Sequence, residues 1–432
     1  MKSISEIAKN IDSILQEKNI TKAAYTVSER ETGEFNTEGT EFTLLRTLFD
    51  NNLSVTVFSG KRKGVVAGND LSDAGIRKLV EDAVAAAEAS EEDPAYDLAP
   101  AEKAEVFRKG PYEPDNEKLF SRIKEFNETV SKDYPKILMM QSFGKHIKSH
   151  SLYVNTNGTA FETYEGCYLY IAEFAGHDGD KTTGINSGYV VVSNLDKPFI
   201  EYESMRMHLE ESVKQLDIKP MEGKFTGTVV LTPDCAEQLM MSIIGNYASG
   251  RTILDGTSQW KDKIGEKVAD ERITLMSDPF HPELPNSECY TSDGFKAVSL
   301  PIIENGVLKN FVLDLYVANK TGKKPSKNSG GDMVLKAGDT SYADIIKGIK
   351  KGIMIGGFSG GEPGANGEFS GVAKNAFLIE NGEITTAVNE TMFSGNLGEM
   401  INNVYAISKE TVSSGASVFP YLAVNGITIS GK

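Results

Sequence analysis

Two segments of this 432-residue chain say the same thing. Ile303-Glu304-Asn305-Gly306-Val307 and Ile379-Glu380-Asn381-Gly382-Glu383-Ile384 each set an Asn-Gly pair between apolar, β-prone residues. A two-residue type I′ turn needs positive φ at both central positions, which Asn tolerates and Gly adopts without steric cost, so each pair predicts an antiparallel hairpin. Asn-Gly pairs at 366–367 and 425–426 punctuate the same half, and from Gly227 onward apolar strand-like runs alternate with Gly. Helical patterns interrupt them near 234–248 and 341–352. No third copy of the hairpin segment occurs, so residues 225–432 read as one β-rich domain and not as a repeat array.

The first half has a different texture. Ile4, Ile7, Ala8, Ile11, Ile14 and Leu15 recur at helical spacing behind Ser3 and Glu6, a capping-box pair, and predict a helix over 4–17. Ala23–Glu29, Glu41–Phe49 and Leu53–Phe58 are Val-, Thr- and Phe-rich, and 60–64 looks like a hairpin turn into Val65-Val66-Ala67. Ser72 or Asp73 starts a second helix with Ile76, Leu79, Val80, Ala83 and Ala87 as its apolar stripe. Residues 1–95 are thus a helix-on-antiparallel-sheet unit. The acidic, Pro-containing stretch up to about Asp115 reads as a linker or an ordered excursion.

A second α+β unit follows over 112–220. Leu119, Phe120, Ile123, Phe126 and Val130 mark a helix, and Ile137–Phe143, Ser151–Asn155, Cys167–Phe174 and Gly188–Ser193 mark strands. Asn157-Gly158 signals another hairpin, and Met205–Leu216 returns to helix. The fold class is α+β, with helix-on-antiparallel-sheet units, able to pack as one, ahead of the β-rich domain.

Composition excludes several functions. Sixty-one acidic against forty-five basic residues leave a net charge of −16, and no basic patch is segregated to overcome repulsion by phosphates, so direct nucleic-acid contact is not expected. Three cysteines, Cys167, Cys235 and Cys289, lie far apart with no C-x-x-C spacing, as expected of reduced thiols in a cytoplasmic protein. No apolar run approaches the roughly 18 residues that a membrane span needs.

Candidate chemistry is sparse. Of five histidines, His146, His150, His177, His208 and His281, only the first two are close, and a metallohydrolase needs several ligands converging on one point. Their segment follows a strand, and four residues along a strand separate side chains by about 13 Å, so they read as solvated strand or turn histidines. Gly322-Lys323 lacks the rest of a phosphate-binding loop, and no G-x-S-x-G elbow occurs. A hydrolase whose Ser, Cys or Glu residues assemble across space stays open. The run from Gly356 to Gly367 either lets a ligand or strand approach the backbone closely or is a surface loop.

Several segments together carry a family resemblance. Gly294-Phe295-Lys296-Ala297-Val298, Ile303 to Phe311, Leu315-Tyr316-Val317-Ala318-Asn319-Lys320-Thr321-Gly322 and Asn328-Ser329-Gly330-Gly331 resemble the C-terminal domain of the TldD/PmbA family. So do Gly367-Glu368-Phe369-Ser370, Ala376 to Gly382, Ser394-Gly395-Asn396 and Ile427 to Gly431. Ala86 to Pro94 extends the resemblance into the first unit.

What the resemblance implies is a two-subunit peptidase in which a zinc-bearing TldD-type subunit pairs with a metal-free TldE/PmbA-type subunit. In the zinc-bearing type one helix carries His-Glu-x-x-Gly-His, and a late Cys completes the site. Here the matching helix follows Val229-Val230-Leu231-Thr232-Pro233, and the motif falls on Met241-Ser242-Ile243-Ile244-Gly245-Asn246. Met241 replaces the first His, Ser242 the general-base Glu and Asn246 the second His. The late segment, Thr411 to Pro420, contains no Cys. Losing both imidazoles, the water-activating carboxylate and the thiolate removes what a zinc hydrolase requires. On an apolar helix Met241 and Asn246 read as core and cap residues.

The chain is therefore expected to hold no catalytic residue, metal or cofactor of its own, with zinc only in a TldD-type partner. Its expected role is to line a cleft where unfolded peptide binds as an added strand. Asn328, Gly330, Gly331, Phe358, Asn366, Glu368, Phe369 and Ser370 are the candidate wall. The partner is a TldD-type subunit, or a second copy if the chain is a stand-alone homodimeric peptide-binding protein. A metal-independent hydrolase is the remaining alternative.

Overall fold

The computed structural model describes residues 2–361 and 363–431. The first half runs α1 (Ile4–Glu17), β1 (Ala23–Glu38), β2 (Glu41–Ser59), β3 (Arg62–Gly68), α2 (Asp73–Ala89), β4 (Glu105–Lys109), α3 (Asn116–Asp133), β5 (Ile137–Asn155), β6 (Ala160–Asp178), β7 (Lys181–Thr182), β8 (Asn186–Val192) and α4 (Glu203–Lys214). Helix α1 begins where the spacing expects it, because the Ser3 hydroxyl accepts from the Glu6 amide while the Glu6 carboxylate accepts from the Ser3 amide at 2.8 Å. Its Ile stripe packs with Ile76, Val80 and Ala83 of α2 over Val27, Leu53 and Val55 of the sheet.

One sheet serves the whole first half, in the order β3-β2-β1-β5-β6, with β7 antiparallel at the end of β6. Parallel β4 and antiparallel β8 share the outer edge of β6, one beside Phe161–Glu165 and the other beside Tyr168–Phe174. Residues 1–95 and 112–220 meet within it, since β1 pairs with β5 along Ala24–Glu38. A second core, with Ile123, Phe126, Tyr170, Phe174, Met205 and Leu209, lies under α3 and α4.

The strands run further than side-chain alternation indicates. β1, β2 and β5 continue through residues 30–38, 50–52 and 144–150, where the sequence suggests breaks. These polar stretches stay extended because ladder bonds to neighbouring strands satisfy their main-chain groups, which no side-chain pattern reports. His146 and His150 therefore sit mid-strand, as one of the expected settings has it, but His146 is buried, contrary to expectation, and His150 is half-buried. His146 is buried with Nε2 2.7 Å from the Pro111 carbonyl, and His150 bonds Glu162 at 2.8 Å and stacks on Tyr164. Asn157-Gly158 does turn the chain, but only Gly158 takes positive φ, so the turn is not type I′.

The stretch after residue 93 is an ordered excursion clamped to the second half. Asp93 accepts from the Tyr316 hydroxyl and from Lys320, Asn319 donates to the Ala95 carbonyl, and Lys109 reaches Ser287.

The second half comprises β9 (Lys219–Pro220), β10 (Lys224–Leu231), α5 (Pro233–Ile243), α6 (Gly250–Leu254), β11 (Leu275–Ser277), β12 (Leu300–Glu304), β13 (Val307–Leu308), α7 (Leu315–Thr321), β14 (Met333–Leu335) and α8 (Tyr342–Lys347). It ends with β15 (Lys351–Ser359), β16 (Glu368–Glu380), β17 (Glu383–Asn389), β18 (Met392–Asn396), α9 (Leu397–Asn402), β19 (Val404–Ser413) and β20 (Val418–Ser430). Following the pairings from β10 to β15, β16, β18 and β20 returns to β10, so these five strands close a barrel. Asn305-Gly306 and Asn381-Gly382 take positive φ at both positions and turn the β12–β13 and β16–β17 hairpins as expected. Asn425-Gly426 instead lies inside β20, near the register shift against β10. The expected helix over 341–352 stops at Lys347, because Lys351 onward is drawn into the barrel.

Candidate functional site

Helix α5 is the scaffold of the site. The Thr232 side chain caps it and Pro233 occupies its first turn, where no amide proton is needed. Cys235, Ala236, Leu239, Met240 and Ile243 bury one side in the core of the second half. The opposite side is open: Met241 is 52% exposed, Gly245 is exposed, and Ser242 and Asn246 are half-buried. Met241 and Asn246 are therefore neither core nor cap residues. Met241 falls on the side of α5 opposite its buried stripe, and Asn246 lies in the segment that follows the α-helix.

That segment, Ile244–Ala248, is a π turn. At 3.6 residues per turn, residues five apart would point roughly 140° away from each other. The wider i→i+5 turn absorbs the surplus residue, so Met241, Ser242, Gly245 and Asn246 share the open side while Ile244 and Tyr247 stay buried.

Three walls surround this face. The first is the turn between β15 and β16, where Asn246 Nδ2 donates to the Gly364 carbonyl at 3.3 Å. Gly367, at φ 83°, leaves no room for a Cβ, which would lie 1.8 Å from the Tyr247 hydroxyl. Asn396 Nδ2 donates to the Asn366 carbonyl at 2.8 Å, and Asn366 Oδ1 accepts from the Glu368 amide. Phe358 and Phe369 both pack edge-on against Phe393. Glu368 and Ser370 are exposed on β16. The Gly-rich run, over its described residues, is thus tied to the helix and is not a free surface loop.

Gln238, one turn before Ser242, makes the sharpest of these ties. Its carboxamide donates to the Phe358 carbonyl at 3.0 Å and accepts from the Phe358 amide at 3.2 Å. β10 pairs with β15 only as far as Ile355, so the side chain satisfies the strand edge as a neighbouring strand would. Sequence reasoning missed Gln238, and nothing in its neighbours marks it.

The second wall is the late segment. Ser417 donates to Glu237 at 2.6 Å, and Glu237 lies one helical turn below Met241, so residues 411–420 do approach the site helix. Burial pushes the Glu237 carboxyl above the usual carboxylate range. Val191 of β8 donates its amide to the Ser414 carbonyl at 2.8 Å, which brings the first-half sheet against the same wall.

The third wall holds Asn328, Gly330 and Gly331. Val312 pairs with Ser249 just past the π turn, and Gly330, at φ 79°, rests on Val312. Asn328 is buried with both ends of its amide engaged, donating to the Val298 carbonyl and accepting from Ser277 and the Gly330 amide. Gly331 accepts from the Ser277 hydroxyl. Asn328 therefore shapes the turn and presents no free polar atom. The candidate wall residues thus fall into two groups: the segment 358–370 bonds Gln238 and Asn246 directly, whereas 328–331 reaches the helix only through Val312 and Ser249, past the π turn.

The donors on the open face do not fit zinc. A thioether, a hydroxyl and a carboxamide are neutral, weak ligands, whereas structural and catalytic zinc sites draw on imidazole, thiolate and carboxylate. Among the described residues no three of His, Cys, Asp and Glu gather closely enough to hold a metal. The three cysteines are free, buried and pushed upward in pKa by burial. Among the described residues no helix is long and apolar enough to cross a membrane.

Comparison with known proteins agrees with the sequence resemblance. Residues 223–431 match the PmbA/TldA metallopeptidase C-terminal domain, and residues 26–87 match domain 1 of the same metallopeptidases. A metalloprotease of Methanocaldococcus jannaschii is 25% identical over 391 residues, 84% of each chain. A metalloprotease of Methanothermobacter thermautotrophicus is 29% identical over 283 residues, and there the match spans 61% of each chain. TldE from Thermococcus kodakarensis superposes with a TM-score of 0.83 at 21% identity, covering 98% of this chain and 100% of that one. A proposed modulator of DNA gyrase from Bacteroides thetaiotaomicron superposes at 0.86 with 22% identity, covering 99% of both. At these identities the structures establish a shared fold.

Proposed function

This chain belongs to the TldD/PmbA metallopeptidase family, and from that premise we propose that it is the metal-free type of subunit, lining a peptide cleft beside a zinc-bearing TldD-type partner. The observation that carries the reading is the open face of α5 and its π turn, where Met241, Ser242 and Asn246 stand together with no strong metal ligand among them. The π turn aligns positions five apart, the alignment a six-residue ligand motif requires, so the scaffold is kept while the donors are replaced. A peptide would lie along this face as an extended strand, beside the edge of β15 that Gln238 now occupies. Glycine at 356 and 357 leaves that edge without bulk.

The test measures zinc content and cleavage of an unfolded protein substrate for the chain alone, for a TldD-type relative alone, and for the two together. Cleavage and stoichiometric zinc are expected only where the relative is present, with activity rising when this chain is added. One zinc per chain in the purified protein, with chelator-sensitive cleavage by that protein alone, overturns the reading.

A further inference from the structure

A cleft of about 1010 Å³ opens where the first half hands over to the second. Its walls are the loop over 180–186, the last turn of α4 with the residues behind it over 212–219, and β16 and β17 at Lys374, Asn375 and Asn389. Ligand sites favour such junctions, because two separately packed surfaces leave concave space where they meet. No residue of α5 or of its three walls lines it.

Two carboxamides line this cleft with polar atoms left over. Gln215 is 8% exposed, and its buried Nε2 has no hydrogen-bond partner among the described residues. The buried Oδ1 of Asn389 has none either. One atom is a donor and the other an acceptor. Burying a polar group without a bond is unfavourable, so such a pair points to a molecule that completes it. Charge is left over in the same place. Lys181 closes on Asp217 at 2.6 Å, whereas Lys219, Lys374 and Asp180 line the cleft and form no ion pair among the described residues.

We propose that this cleft binds a short zwitterionic peptide, a dipeptide with both ends free. Its carboxylate would meet Lys219 and Lys374, and its amino group Asp180. Its peptide unit carries one N–H and one C=O, the complement of Asn389 Oδ1 and Gln215 Nε2. The exposed Ile185 and Ile218 offer apolar surface to its side chains. Size agrees: the cleft volume is that of a cube about 10 Å on edge, which a chain of roughly three residues spans when extended. The assignment stands on the cleft's own groups and not on the proposed function.

Isothermal titration calorimetry on the full chain tests it, with alanyl-alanine, its N-acetyl derivative, its C-terminal amide and free alanine as probes. One alanyl-alanine should bind per chain, and the other three at least about tenfold more weakly, since each lacks one of the groups named. Gln215→Leu and Lys374→Gln should each weaken the dipeptide by a similar factor. Without ligand, Gln215→Leu should melt at or above the wild-type temperature, because an apolar side chain of similar size removes an unpaired buried amide. Gly245→Trp, on the open face of α5, should leave dipeptide affinity unchanged.

No heat from any probe at roughly 10 mM overturns the inference, as do equal affinities for the four probes. So does a Gln215→Leu variant that binds normally or melts lower, the latter meaning that the amide is bonded within the protein. Loss of binding in Gly245→Trp would place the dipeptide on α5 and overturn it as well. Zinc content and partner-dependent cleavage are read independently of all these results, so the two proposals fail separately.

Discussion

The His208 imidazole donates through Nε2 to Asp234 Oδ2 at 2.8 Å, tying the last helix of the first half to the first turn of the helix that carries the candidate site. Glu211 lies 3.5 Å from Nδ1, too poorly placed for a hydrogen bond, and acts through its charge. Burial alone would lower the imidazole pKa. The bond to Asp234 and the two nearby carboxylates outweigh it and hold the pKa up at about 10. The joint between the halves is thus a buried imidazolium between two carboxylates.

This joint should be pH-sensitive in one direction. A pKa raised above the unfolded value of roughly 6.5 stabilises fully below that pH, and the contribution is lost as pH climbs towards about 10. His208→Gln should cost about 3 kcal/mol at pH 6, since it leaves Glu211 buried beside no cation. Thermal melts of both proteins from pH 6 to pH 10 should show the gap shrinking. A gap constant across that range would mean that the imidazole is neutral in the folded protein.

The aligned but donor-poor helix face makes a gain-of-binding experiment possible. Met241→His with Asn246→His should bring two imidazoles onto the open side across the π turn. The double variant should retain zinc or cobalt after desalting, measured by plasma mass spectrometry, where the wild type retains none above trace. Equal retention by both proteins would contradict the open-face geometry.

Gly245 tests the cleft without disturbing the fold. A Cβ there would meet no heavy atom within 4 Å, and the residue is exposed, so Gly245→Trp should leave the melting temperature nearly unchanged. It should weaken binding of a fluorescent unfolded peptide by about tenfold in an anisotropy titration, because the indole would occupy the open face along which the peptide lies. Undiminished binding would move the peptide elsewhere on the molecule.

Gly415 tests the wall made by the late segment. It sits at φ 83°, and a Cβ would lie 1.9 Å from the Val191 carbonyl oxygen, a main-chain atom that cannot swing away. Gly415→Ala should cost about 1–3 kcal/mol in strain and weaken the bond from Val191 to Ser414. Hydrogen exchange at Val191 should accelerate together with a fall in melting temperature. Unchanged exchange would show that the late segment does not depend on β8.

Local signals were legible without the structure. Ser3 and Glu6 start α1, the Ile stripe names its buried face, and Asn305-Gly306 and Asn381-Gly382 turn their hairpins, because each effect acts within a few residues. The replacement of imidazole, carboxylate and thiolate at Met241, Ser242, Asn246 and 411–420 is likewise a fact of sequence. Closure of the barrel, the shared sheet that unites residues 1–95 with 112–220, and the full length of β1, β2 and β5 depend on pairings between distant segments. No local pattern encodes those. That Met241 and Asn246 are presented and not buried was decided by which side of α5 packs on the core and by the π turn after it, and the tie from Gln238 to Phe358 by two elements meeting 120 residues apart. The sequence determined which groups the chain possesses. Only tertiary structure decided which of them face one another, because that depends on where non-local hydrogen bonds and packing bring the backbone together.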